Sequence, residues 1–228
     1  MLRQVPEILY EDNHLLVVNK RAGDLVQGDR SGDVTLIDTL KAYIKEKYSK
    51  PGEVFLGLVH RLDRPVSGAV IFARTSKALT RLTGMVKERQ IEKIYWAIVG
   101  NRPADSDGRL VHFLVKNEKQ NKSYPSGEKT PGAKRAELSY TLLASSNSFH
   151  LLEVNLHTGR HHQIRAQLAA AGFPIRGDLK YGAPRSNPDG SISLHARKLK
   201  FTHPVNGQQL QILAPLPVAP EWHYFELH

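Results

Sequence analysis

Residues 54–74 read VFLGLVHRLDRPVSGAVIFAR. Two apolar, strand-like runs, over Phe55–Val59 and Ala69–Ala73, enclose the short polar segment HRLDR. Pro65 forces Arg64 out of helical geometry, so this segment is a bend or loop between strands. At its centre Asp63 sits between Arg61 and Arg64. A lone carboxylate among guanidiniums fits three roles: a structural ion pair, a neutraliser beside phosphate, or a reactive group.

On the N-terminal side, EILYEDNHLLVVNK predicts strands over Ile8–Tyr10 and Leu15–Asn19 with a turn at Asp12-Asn13. Gly23, Gly28 and Gly32 punctuate a loop. A helix is predicted from Thr35, because Leu36, Leu40, Tyr43 and Ile44 share one face and Thr35 with Asp38 makes an N-cap pair. On the C-terminal side, a second amphipathic helix begins at Thr75 or Ser76. IEKIYWAIVG, apolar on both faces, then predicts a central strand. The stretch 101–135 shifts in composition: KNEKQNKSYPSGEKTPGAKR carries six basic residues against two acids and predicts a solvated, mobile loop. Strands around Ala136–Leu143 and Phe149–Leu156, a His/Arg-rich turn, a helix stopping at Gly172 and two closing strands complete the chain. This order of elements predicts an α+β fold with a mixed, mostly antiparallel sheet flanked by helices and loops.

With 228 residues, 40% of them hydrophobic and 24% charged, the chain has the profile of a globular protein. It contains no cysteine, which excludes disulfides, thiolate metal sites and cysteine nucleophiles. Lys and Arg number 32 against 22 Asp and Glu, a formal excess of +10. Such a surface attracts polyanions, and nucleic acid is the expected partner. No signal-peptide pattern or membrane-length apolar run is present, so a cytoplasmic protein with no membrane partner is expected.

Three polar clusters interrupt the apolar strands: HRLDR at 60–64, KIYW at 93–96 and HTGRHHQIR at 157–165. The third invites a metal reading through His157, His161 and His162. No acid lies nearer than Glu153 and no HExxH is present, so a phosphate-contact loop fits better and no metal is expected. Serine-nucleophile and phosphate-loop motifs are absent.

The same residues resemble the RluA-type RNA pseudouridine synthases along nearly the whole chain. HRLDRPVSGAVIFARTSKA is similar to that family's HRLD-x-x-[ST]-SG motif, and EKIYWAIVG to its K-x-Y-x-A-x-V-x-G strand. LHTGRHHQIRAQLAAAGFPIRGDLKYG resembles its TGR-x-HQIR block, LHARKLKFTHP its closing segment and YEDNHLLVVNKRAG its opening one. Arg21, Val66, His161 and Gln167 depart from the family pattern; these departures bear on RNA contacts and substrate choice, not on the reaction.

The resemblance implies a single catalytic domain over 1–228 with the family's fold and without its N-terminal S4 module. It implies isomerisation of uridine to pseudouridine in tRNA or rRNA, with no cofactor and a monomeric enzyme. Asp63 is then the catalytic carboxylate, Tyr95 stacks on the flipped base, and Arg165 pairs with Asp63. Arg61 fills the gap left in the RNA, while His60, Arg64, Arg160, His162 and Gln163 bind substrate. A catalytically silent RNA-binding protein of the same fold and a metal-dependent nuclease are the competing readings.

Overall fold

The computed structural model describes residues 4–28 and 32–225. Among them the chain gathers into two compact units: the residues up to Ile91 with Ala196–Leu216, and Glu92–His195 with the segment from Pro217. The α+β class is as expected.

In the first unit, β1 (Glu7–Glu11), β2 (Leu15–Lys20), β4 (Ser67–Ala73), β10 (Leu194–Thr202) and β11 (Gln209–Leu213) lie side by side in that order, and the two-residue β3 (Gly57–Leu58) adds to β4. The turn before β2 is set by Asp12, whose Oδ1 accepts from the N–H groups of His14 and Leu15, both at 2.7 Å. Leu15, Leu16, Val17 and Val18 are all fully buried, because β2 is covered on both faces. Helix α1 (Leu36–Lys47) starts on the expected capping box: Thr35 Oγ1 accepts from Asp38 N at 3.2 Å, and Asp38 Oδ2 accepts from Thr35 N at 3.2 Å. Helix α2 (Ser76–Lys87) is capped by Thr75 and buries Ala78 and Leu82. Its side chains pack with Ile71, Ala73, Leu199 and Phe201 in one apolar cluster.

The strand expected over Phe55–Val59 shrinks to Gly57–Leu58. Phe55 is 47% exposed, and Gly57 lies so close to helix α2 that a Cβ there would come within 2.6 Å of Leu79. The run of apolar residues is divided between α2 and solvent rather than paired along its length.

In the second unit the strand order is β5 (Glu92–Val99), β9 (His150–Leu156), β8 (Lys134–Ser145), β6 (Asp107–Asn117) and β7 (Lys122–Ser126), every neighbouring pair antiparallel. The loop expected over 101–135 is instead largely the β6–β7 hairpin. Period-two burial along β6 puts Leu110, His112 and Leu114 inward. The turn between the strands closes with Asn121 at φ 45° and Asn117 Oδ1 accepting from Gln120 N at 3.1 Å. Helix α3 (Gln163–Ala170) follows β9 and ends at Gly172, where φ is +92°. A single 3₁₀ turn spans Leu179–Tyr181, and α4 (Pro220–His223) closes the chain.

Candidate active site

The HRLDR segment is a loop anchored from beneath. Leu62 is buried and Asp63 half-buried, while Arg61 and Arg64 are exposed. Asp63 O accepts from Val66 N at 3.0 Å, which closes a turn through Arg64 and Pro65 just before β4. His60 Nε2 accepts from Ile71 N at 3.3 Å, so this imidazole ties the start of the loop to β4. Arg64 pairs with Asp33 at 2.8 Å on the surface, a contact of little energetic weight.

The principal anchor is Lys20, fully buried at the end of β2. Its Nζ donates to Arg21 O at 2.9 Å, Arg64 O at 3.1 Å and Val66 O at 2.6 Å. A buried ammonium is costly unless each donor is satisfied. Three carbonyls meet that demand, two of them from the loop that carries Asp63. Gly68 adds a second constraint. With φ +115°, it sits where a Cβ would fall 2.4 Å from Ala196 N and 2.5 Å from Ala196 O, so only glycine lets β10 approach the loop's exit this closely.

Tyr95 lies on β5 opposite Val154 of β9 and is 6% exposed. Lys93, two residues earlier, projects from the same face of the strand. Its ammonium has no hydrogen bond or ion pair among the described residues, and burial pushes its pKa down. A Cβ on Gly159 would stand 3.8 Å from Lys93 Nζ, which places this lysine beside the TGR turn.

Arg165, on α3, is gripped by a residue that sequence reasoning had not assigned. Its Nε donates to Asp178 Oδ2 at 2.7 Å and its Nη2 to Asp178 Oδ1 at 2.8 Å, with both side chains almost fully buried. This fork-on-fork geometry fixes the plane of the guanidinium. The Tyr181 ring faces both Arg165 Cζ, at 5.1 Å, and Lys122 Nζ, at 4.9 Å. Tyr181 Oη accepts from Ser123 N at 2.8 Å and lies 3.1 Å from His162 Nδ1, joining hairpin strand β7 to the start of α3. Asp178 and Tyr181 both belong to the quoted GDLKYG. Gly177 adopts φ +86°, and a Cβ there would meet Asn187 and Ser191 O at 2.8 Å.

The other polar residues singled out in this unit divide between surface and scaffold. Arg160 is exposed, its Nε donating to Arg135 O at 3.0 Å. Gln163 is buried and its amide serves the turn itself: Oε1 accepts from Thr158 Oγ1 at 2.7 Å and Arg160 N at 2.9 Å, and Nε2 donates to Glu137 O at 3.0 Å. His162 occupies the left-handed position that opens α3, its ring stacked on His161 at 3.8 Å. His161 itself bridges Ser123 Oγ, at 2.9 Å, and Asn121 Oδ1, at 3.0 Å, of the hairpin. His157 contacts Ser139 Oγ at 3.0 Å. Arg109 and Arg135 both pair with Glu137, and their hydrogen bonds hold its carboxyl below the usual range.

Gln167, one of the departures from the family pattern, is fully buried. Its Nε2 donates to Leu110 O at 3.0 Å and Ala136 O at 3.3 Å, with His112 Nδ1 at 3.0 Å. It therefore fastens α3 to β6 and β8. Among the described residues, no group of three or more His, Asp or Glu is placed to hold a metal ion, and no helix is long and apolar enough to cross a membrane.

A sequence model of the family described as RNA pseudouridylate synthase matches residues 14–170, a span that includes Asp63, Tyr95 and Arg165. The chain is 35% identical to an uncharacterized RNA pseudouridine synthase of Synechocystis sp., covering 92% of this chain and 65% of that protein. It is 33% identical, with the same two coverages, to ribosomal large subunit pseudouridine synthase C of Vibrio parahaemolyticus. The chain thus spans about two thirds of the length of these curated relatives. Among solved structures it is similar to human RNA pseudouridylate synthase domain containing 4, with a TM-score of 0.78 and 27% identity, covering 93% of this chain and 89% of that one.

Proposed function

The chain belongs to the RNA pseudouridylate synthase family, and from that premise we propose that it converts uridine in RNA to pseudouridine with Asp63 as the catalytic carboxylate. The observation that carries the reading is the construction around Asp63. A half-buried carboxylate stands on a loop between two exposed arginines, and a buried lysine bonded to that loop's own carbonyls holds it in place. A purely structural aspartate needs no such dedicated support, whereas a reacting group must be held in one geometry.

Each residue's role follows from what the reaction requires. The N1–C1′ bond of uridine breaks, the uracil turns, and C5 bonds to C1′, so the leaving group is also the incoming one. No hydrolytic water or second carboxylate is needed, in contrast to a glycosidase. One ionised carboxylate suffices as nucleophile or base. Arg165, held in plane by Asp178, presents the substrate with a guanidinium of fixed orientation. Tyr95 offers a ring for the uracil once the base leaves the RNA stack, and Arg61 occupies the space it vacates. His60, Arg64, Arg160 and His162 contribute to RNA binding around them. No electrons are transferred, so the reaction calls for no redox cofactor. Ribosomal RNA is the favoured substrate, since relatives that cover this chain are named for the large ribosomal subunit.

Bond formation at C5 displaces the hydrogen that C5 carried. RNA tritiated at uridine C5 is therefore expected to release label to water in proportion to product, with the RNA chain unbroken and chelator without effect. Asp63→Asn keeps the side chain's shape but cannot act as nucleophile or base. It should bind RNA and release no label. Appreciable release by that variant would make the carboxylate structural and sink the proposal.

A further inference from the structure

Lys93 has no role in the reaction as described, yet its surroundings are unusual for a lysine. Ordinarily a lysine keeps its ammonium in water, or pairs it when buried. Here the ammonium is half-buried and has neither hydrogen bond nor ion pair among the described residues. The protein therefore bears a desolvation cost that nothing among the described residues offsets.

Three features of its position point outward to a ligand. Lys93 and Tyr95 project from the same face of β5, about 6.6 Å apart along the strand. That separation suits a nucleotide lying along the strand, with its base on the tyrosine and its phosphate at the lysine. Secondly, the nearest turn presents Gly159, which has no side chain to crowd Nζ. Thirdly, no carboxylate pairs with it among the described residues: Glu153 on the adjacent strand β9 accepts from Trp96 Nε1 at 3.3 Å, and Glu137 on β8 pairs with Arg109 and Arg135.

We propose that Lys93 is a substrate-binding residue that takes the phosphate of the nucleotide whose base lies on Tyr95. The phosphate supplies the missing counter-charge, and the ammonium gives the nucleotide a second fixed point beyond its base. A partly buried, unpaired cation binds an anion more strongly than an exposed one does, because part of its desolvation has already taken place. The inference rests on the RNA-modifying reading but concerns binding, so it can be judged apart from turnover.

The experiment has two arms. In the first, RNA binding is measured from 50 to 200 mM salt. Lys93→Met should weaken binding about tenfold and reduce the slope of log affinity against log salt by about 0.7–0.9, the share of one phosphate; Lys93→Arg should restore the slope. In the second, the Lys93 Cε resonance is titrated with pH, alone and with saturating uridine 5′-monophosphate or uridine. The monophosphate should raise the Lys93 pKa and the nucleoside should not. Unchanged slope in the methionine variant, or a titration unmoved by the monophosphate, overturns the proposal. So does a methionine variant that binds normally but has a changed pH–rate profile, since Lys93 would then be moving a proton. A wild-type protein that passes both arms yet releases no tritium would refute the proposed reaction while leaving this assignment standing.

Discussion

Replacing Asp178 by Asn removes the carboxylate that Arg165 grips with two hydrogen bonds of 2.7 and 2.8 Å. The side chains are 6% and 1% exposed, so water cannot take the carboxylate's place. Asparagine retains one acceptor oxygen and turns an NH₂ group toward the guanidinium, so the charge of this partner is lost. Breaking such a pair from one side costs about 3–5 kcal/mol; with one acceptor retained, about 3 kcal/mol is expected. For a chain of this size each kcal/mol moves the midpoint by about 2–4 °C, so Tm should fall by about 6–12 °C in a thermal scan. The companion double variant, Arg165→Met with Asp178→Leu, removes both charges and fills the space with apolar groups. It should be more stable than Asp178→Asn alone. Turnover separates position from charge: Arg165→Lys keeps the cation but not the fork, and should slow tritium release at least about tenfold, or about 1.4 kcal/mol of barrier, with RNA binding largely kept. A Tm shift below about 2 °C in Asp178→Asn, or a double variant as unstable as the two single changes summed, would refute the view that this pair orients Arg165.

Two further outcomes follow from other parts of the molecule. Glu11 is pushed up by burial, but hydrogen bonds from Lys47, Tyr48 and Tyr43 outweigh that and hold its pKa below the ordinary 4.5. A lowered pKa stabilises the fold fully above that value and progressively less as pH falls through the folded one; urea unfolding should show this acid loss, and Glu11→Gln should flatten the profile below about pH 4.5 while lowering stability at neutral pH. In the basic segment of the second unit, Lys119, Lys129 and Lys134 are exposed; changing all three to Met should reduce the RNA salt slope by about 2–3, and an unchanged slope would remove them from the RNA-binding surface.

How far the sequence could be read depended on whether a signal was local. Helix α1 was legible because Thr35 and Asp38 cap it within three residues, and β2 because Leu-Leu-Val-Val is covered on both faces. The β6–β7 hairpin was missed because its lysines dominate the composition, while the alternation of Leu110, His112 and Leu114 only acquires meaning beside β8. The three polar clusters were visible as interruptions of apolar strands, and the family resemblance gave Asp63, Tyr95 and Arg165 their roles. Asp178 and Tyr181 stood in a quoted motif, but nothing local says that a carboxylate 13 residues downstream closes on Arg165. Lys20 and Lys93 look alike in sequence. Only burial and the presence or absence of partners distinguish an anchor from a vacant cation.

The hold of Lys20 on the Asp63 loop also bears on the order of events as the chain folds. Its shortest bond reaches Val66 O across 46 residues of sequence, so it forms only once β2 and the start of β4 have met. That pairing runs antiparallel from Leu15 with Ala73 to Lys20 with Gly68, and the lysine stands at the rung nearest the intervening loop. A ribosome that has released β2 but not yet β4 has made a chain with Lys20 unanchored and the loop still to come. Closing so long a loop is entropically slow, which makes the arrangement of this loop a late step. The carboxylate is thereby kept out of its working geometry until β2 and β4 have met, and recovery of tritium release during refolding should not precede the burial of β2.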